Sequence, residues 1–205
     1  MQNLPKSIFL ELITAPFDLL ALAHIDFKNR HFESVLYQKT SHSIRPLSET
    51  IYFDLASLTK PLSNGIIFQM YPNKFDSAMI DLLNHRAGLP SWAILGKKDY
   101  RDFLMSFDLT HSQTIYSDLS SLRLMLELEK KNINLKKELD EFYKNKIRFW
   151  TDTTFKVHDP NAFNLKSFCT HAGFFASIEG LCEALLHIHD MGFLKNIQSS
   201  ENRFE

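Results

Sequence analysis

Pro61 sets the tightest local constraint in the chain. It closes the run Phe53-Asp54-Leu55-Ala56-Ser57-Leu58-Thr59-Lys60-Pro61. Proline has no backbone N–H and crowds the carbonyl four residues before it, so it fits only near a helix start. The helix must therefore open at or just before Ser57. Ser-x-x-Lys spacing then sets a hydroxyl and an amine one turn apart on one helix face. Free N–H groups and the dipole at a helix N-terminus favour an alkoxide and disfavour an ammonium. A serine becomes a useful nucleophile when a base lies within hydrogen-bond reach or a field stabilises its alkoxide. A buried Lys60 that gives up its proton is such a base. The plainer reading of the same four residues is a helix N-cap followed by a surface lysine.

Five blocks widen the context: FDLASLTKPL around Ser57; DLLNHRAGLP from Asp81 to Pro90; Tyr116-Ser117-Asp118-Leu119; LDEFYKNKI with TDTTF from Leu139 to Phe155; and VHDPNAF with HAGFFAS from Val157 to Ser177. In content and order they resemble the β-lactamase-related serine hydrolases, which include class C β-lactamases, low-molecular-weight penicillin-binding proteins and esterases of that fold. The resemblance implies an α/β chain, layered α+β, with a helical subdomain and an antiparallel sheet, as a single domain over residues 1–205. It implies Ser57 as nucleophile, with Lys60 and Tyr116 moving its proton. Asp118 falls at a substrate-binding position where many relatives carry an amide. A carboxylate there favours a charged Lys60 and passes more of the base's task to Tyr116. The His85 block mainly packs the helical subdomain in such proteins, so His85 reads as structural.

The family closes its site with a Lys-Thr-Gly or His-x-Gly triplet on a strand near the C-terminus. His171-Ala172-Gly173 resembles it superficially, but the following FFASIEGLCEALLHIHD has helical period and not a strand's alternation. It corresponds to an internal block that precedes the third motif. The expectation is an incomplete antiparallel sheet lacking its C-terminal strands. Its open edge would invite a second copy of the chain or a partner. Two functions follow: a hydrolase acting on an ester or amide (β-lactam, D-peptide or small ester) through an acyl-enzyme, or a degenerate, inactive relative with a binding or structural role.

Composition narrows the field. A chain of 205 residues, 44% apolar, can bury a real core. Its net charge of -1 without a basic stripe argues against a nucleic-acid partner. Cys169 and Cys182 make neither a disulfide framework nor a metal finger. Nine histidines raise the question of a metal, but His187 and His189 face different ways on a helix and HExxH is absent. No metal or other cofactor is expected. The apolar stretch Ile8 to Ile13 is broken by Glu11 and then by Pro16 and Asp18, so it lacks the form of a signal peptide. No run approaches the ~18 apolar residues of a membrane span. The default compartment is cytoplasmic.

Periodicity supplies the elements. Ser7 to Ile13 reads as a short helix, and Leu19 to Phe27 with Phe32 to Tyr37 as a hairpin turning at Lys28-Asn29-Arg30. Thr40 to Thr50 reads as a polar connection, and the Ser57 helix runs to about Met70. Helices follow at Asp81 to Ala87, Tyr100 to Phe107 and Ser117 to Lys131. One more carries Leu135, Leu139, Phe142, Tyr143 and Ile147, and Ser177 caps the last, which ends at Gly192. The charged run from Glu127 to Lys137 reads as a solvated face, and the polar tail from Lys195 as frayed.

Overall fold

The computed structural model describes residues 15–40 and 43–194. The helix expected over Ser7 to Ile13 and the tail from Lys195 lie outside them. The described chain is mixed α/β, with seven α-helices and two small antiparallel sheets of three strands each. It divides into two compact units, residues 54–175 and a second made of the chain on either side.

The flanking unit is built on a hairpin. Strand β1 (Leu19–Asp26) pairs with β2 (His31–Lys39), with Leu19 opposite Gln38 and Asp26 opposite His31. Asp26 shapes the turn by accepting from the Asn29 N–H and side-chain amide at 3.0 and 2.7 Å. Arg30 takes the left-handed conformation, at φ 53°. A third strand, β3 (Ile44–Leu47), pairs with β2 where the sequence suggested only a polar connection. Pro46 obscured it: proline cannot donate to a ladder, but an edge strand tolerates it. The helix α7 (Ile178–Asp190) packs on β1 and β2. Ser177 caps it by accepting from the Gly180 N–H at 3.1 Å. Arg30 reaches Asp190 at 2.8 Å, and Ser34 donates to Glu179 at 3.0 Å.

The larger unit begins after β4 (Phe53–Asp54) with a composite helix. A 3-10 turn at Ala56–Leu58 leads into Thr59 and Lys60, a π-helical segment at Pro61–Gly65, and then α1 (Ile66–Met70). The end at Met70 and the start beside Ser57 agree with the reading from Pro61. The π segment is new. It widens the helix where proline offers no N–H, one of the recognised causes of local helix distortion. Side chains anchor that segment to its surroundings. Ser63 Oγ donates to the Thr170 carbonyl at 2.9 Å, and Asn64 Nδ2 donates to the Ser121 carbonyl and Oγ at 3.1 and 2.9 Å. Tyr143 donates its hydroxyl to the Leu62 carbonyl at 2.6 Å.

Four more helices surround it: α2 (Ser77–Leu83), α3 (Tyr100–Met105), α4 (Asp118–Lys130) and α5 (Leu135–Tyr143). Helix α2 starts four residues earlier than its apolar pattern suggested, because Asp76 caps it by accepting from the Met79 N–H at 3.0 Å. Leu119, Leu122 and Leu126 of α4 are buried, as are Leu135 and Leu139 of α5. The charged run is not wholly solvated: Glu127 accepts from the buried Arg123 at 2.7 Å. Strand β5 (Arg148–Phe149) precedes α6 (Pro160–Leu165) and β6 (Phe174–Ala176). Here the helical reading of the FFAS segment fails at its start. Phe174, Phe175 and Ala176 form a fully buried strand, and the helix begins only at Ile178. Three residues with both faces covered carry no alternation to read. The second sheet has the order β4-β6-β5.

Cys169 and Cys182 are free and buried, and burial pushes the Cys169 thiol up to about 12. Among the described residues, no helix is long and apolar enough to cross a membrane.

Candidate active site

The geometry around Ser57 begins with the residue before it. Ala56 has φ 46°, a left-handed conformation that costs a non-glycine residue about 1–3 kcal/mol. Asp54 holds it there: Oδ1 accepts from the Ala56 N–H at 2.9 Å, while Oδ2 accepts from the His158 N–H at 2.9 Å. This bend leaves Ser57 exposed on the first turn, with Lys60 buried behind it.

Lys60 Nζ donates to Ser57 Oγ at 3.0 Å and to the His171 carbonyl at 3.2 Å, and it pairs with Asp118 Oδ1 at 2.6 Å. Nζ thus has three oxygen partners, as many as an ammonium can serve. The Tyr116 ring lies 4.8 Å from Nζ, within cation–π range. All four residues singled out in the sequence thus meet at one place. The Asp118 carboxylate rests on the lysine, the neighbour that its position in the Tyr116-Ser117-Asp118 block suggested. Ser117 sets that placement by capping α4, accepting from the Ser120 N–H at 3.0 Å and donating to the Pro90 carbonyl at 2.6 Å. The Asp118 N–H donates to the Ser91 carbonyl at 2.9 Å.

The His171-Ala172-Gly173 triplet also touches the site, through backbone. Its His171 carbonyl receives Lys60, and its buried ring is 2.9 Å from Asp159. Gly173 has φ 102°, and the next residue, Phe174, donates its N–H to Thr59 Oγ1 at 3.2 Å. The triplet therefore holds the lysine from behind, with the His171 ring turned to Asp159.

A cavity of about 360 Å³ opens at this point, with Ser57, Lys60, His85, Tyr116 and Ser121 among its lining residues. His85 is the residue that sequence reasoning placed in structure alone. Its Nδ1 accepts from the Ser117 N–H at 3.2 Å, which leaves the proton on Nε2. Its ring stacks on Tyr116 at 4.8 Å between centroids. Burial lowers its basicity first, and the Lys60 charge adds to that, so the imidazole is held below its usual range. His85 also adopts a left-handed φ of 58°. Its DLLNHRAGLP block was visible in the sequence, but the contact to Ser117, 32 residues away, was not.

A hydroxyl, an amine and a phenol on one cavity wall, with the Asp118 carboxylate against the amine, make up the groups that acyl transfer uses. Among the described residues, no group of three His, Cys, Asp or Glu side chains could hold a metal ion.

Comparisons with family models, curated proteins and solved structures find no match.

Proposed function

We propose that the chain is a serine hydrolase of the β-lactamase-related kind, acting on an ester or amide through an acyl-enzyme. One observation carries this reading: Ser57 Oγ lies 3.0 Å from Lys60 Nζ on an exposed helix turn facing a cavity that Tyr116 also lines. Lys60 first gives a proton to Asp118; Ser57 Oγ then attacks the carbonyl carbon as the Lys60 amine takes its proton, which passes with Tyr116 to the leaving alkoxide or amine. Water then attacks the acyl-serine, returning the proton to Ser57 and releasing the acid. The Ser57 N–H supplies one oxyanion donor, and the loss of one such donor costs about 2.7–4 kcal/mol in rate. The resemblance of the five blocks supports the fold and family named here.

A second reading, a non-catalytic binding protein, is favoured by the commitment of Lys60 to three acceptors. Intact-mass analysis after incubation with a fluorophosphonate separates the two. A single adduct on the native chain, absent from Ser57→Ala, is the expected result. No adduct on a chain that circular dichroism shows to be folded overturns the hydrolase reading.

A further inference from the structure

The walls of the cavity beside Ser57 carry information about charge. Away from the polar groups its lining is Pro61, Gly65, Phe68, Leu82 and Leu83. Its volume of about 360 Å³ lies within the range of small-molecule sites. Lys60 is the single cation among the lining residues. Its three protons are taken by Ser57, His171 and Asp118, so none is left for a carboxylate on a bound molecule. The Asp118 carboxylate, 2.6 Å from that ammonium, already neutralises it. A carboxylate brought into the cavity would lose its water without a free cation to partner it. His85 does not relieve this, because burial and Lys60 hold its ring neutral.

We infer that the cavity takes an uncharged, apolar acyl group, and that the substrate is a neutral ester. β-Lactams and peptides ending in D-alanine carry a carboxylate near the reacting bond and are excluded. This inference rests on Ser57 being the nucleophile proposed above. Gly65 offers a way to fill the cavity: its φ is −63°, and a Cβ there meets only Pro61 Cβ, at 3.9 Å.

The test compares methyl and hexyl fluorophosphonates and benzylpenicillin on the whole chain, read by intact mass against time. With the fluorophosphonates the Ser57 Oγ–P bond forms as P–F breaks, and the serine proton leaves with fluoride. The native chain should react about tenfold faster with the hexyl probe than with the methyl probe, and penicillin should leave no adduct. Gly65→Leu, and separately Leu83→Gln, should bring the hexyl-to-methyl ratio towards one. Equal rates with the two probes on the native chain, a ratio unmoved in both variants, or faster labelling by penicillin overturns the inference. Calorimetry with hexanamide on Ser57→Ala reads the cavity without the nucleophile. Binding that Gly65→Leu weakens supports the cavity even where no probe labels Ser57, which would sink the hydrolase reading alone. No hexanamide binding overturns the cavity assignment.

Discussion

Lys60 Nζ lies closer to Asp118 Oδ1, at 2.6 Å, than to Ser57 Oγ, at 3.0 Å. Both partners are largely shielded from water, with 8% and 18% of their side chains exposed. The Asp118 carboxylate therefore competes with the Ser57 hydroxyl for the lysine. Asp118→Asn should release it. Hydrogen bonds to charged groups exceed neutral ones by on the order of 1 kcal/mol, so labelling of Ser57 at neutral pH should rise by about fivefold. A fall in labelling rate in folded Asp118→Asn would mean that the carboxylate assists the serine.

Breaking the same pair from the other side should cost stability. Lys60→Met leaves Asp118 without its partner, and removal of one member of a buried pair costs about 3–5 kcal/mol. Urea unfolding of Lys60→Met, Asp118→Asn and the double variant forms a cycle. The double variant should be more stable than Lys60→Met alone.

His85 should make stability depend on pH. Its ring is held below the usual histidine range in the fold, by burial first and Lys60 second, whereas the unfolded chain binds a proton near pH 6.5. Between those two values the unfolded state holds more protons, so stability rises with pH there and is lost as pH falls through the folded value. Urea midpoints below about pH 6.5 should fall less steeply in His85→Gln than in the native chain. Parallel profiles would show that the ring is no such source of pH dependence.

Gly173 should admit no side chain. At φ 102° a Cβ would come within 2.7 Å of Trp150 Cδ1, and Trp150 donates its backbone N–H to the Gly173 carbonyl at 2.9 Å. Overpacking of this kind costs about 1–3 kcal/mol, to which the strained φ adds. Thermal unfolding should show Gly173→Ala destabilised by about 3 kcal/mol. Slower labelling of Ser57 should accompany it, because His171 holds Lys60 two residues away.

The serine and lysine were legible because proline and a four-residue spacing are local facts. The Asp118 position and its nearness to Lys60 were legible from its block, but not the way Ser117 and Ser91 seat the start of α4. Strand β3 was hidden by Pro46, and β6 by being three residues long and buried on both sides. The π segment could not be read at all. Its anchors, Thr170 and Ser121, lie 107 and 57 residues from Ser63 and Asn64. The structural reading of His85 named its block but not its partner, Ser117, which comes from across the unit.

The widened turn at Pro61–Gly65 makes this helix sensitive to length as well as to composition. A residue removed from an α-helix rotates everything beyond it by about 100°. Deleting one residue here, even a replaceable one, would turn the buried Ile66 and Ile67 away from their neighbours while leaving Ser57 and Lys60 in phase with each other. A substitution along Pro61–Gly65 acts at its own contact; a change in count acts on both halves at once, because it resets the phase between the reactive end of the helix and the end that fixes it in the core.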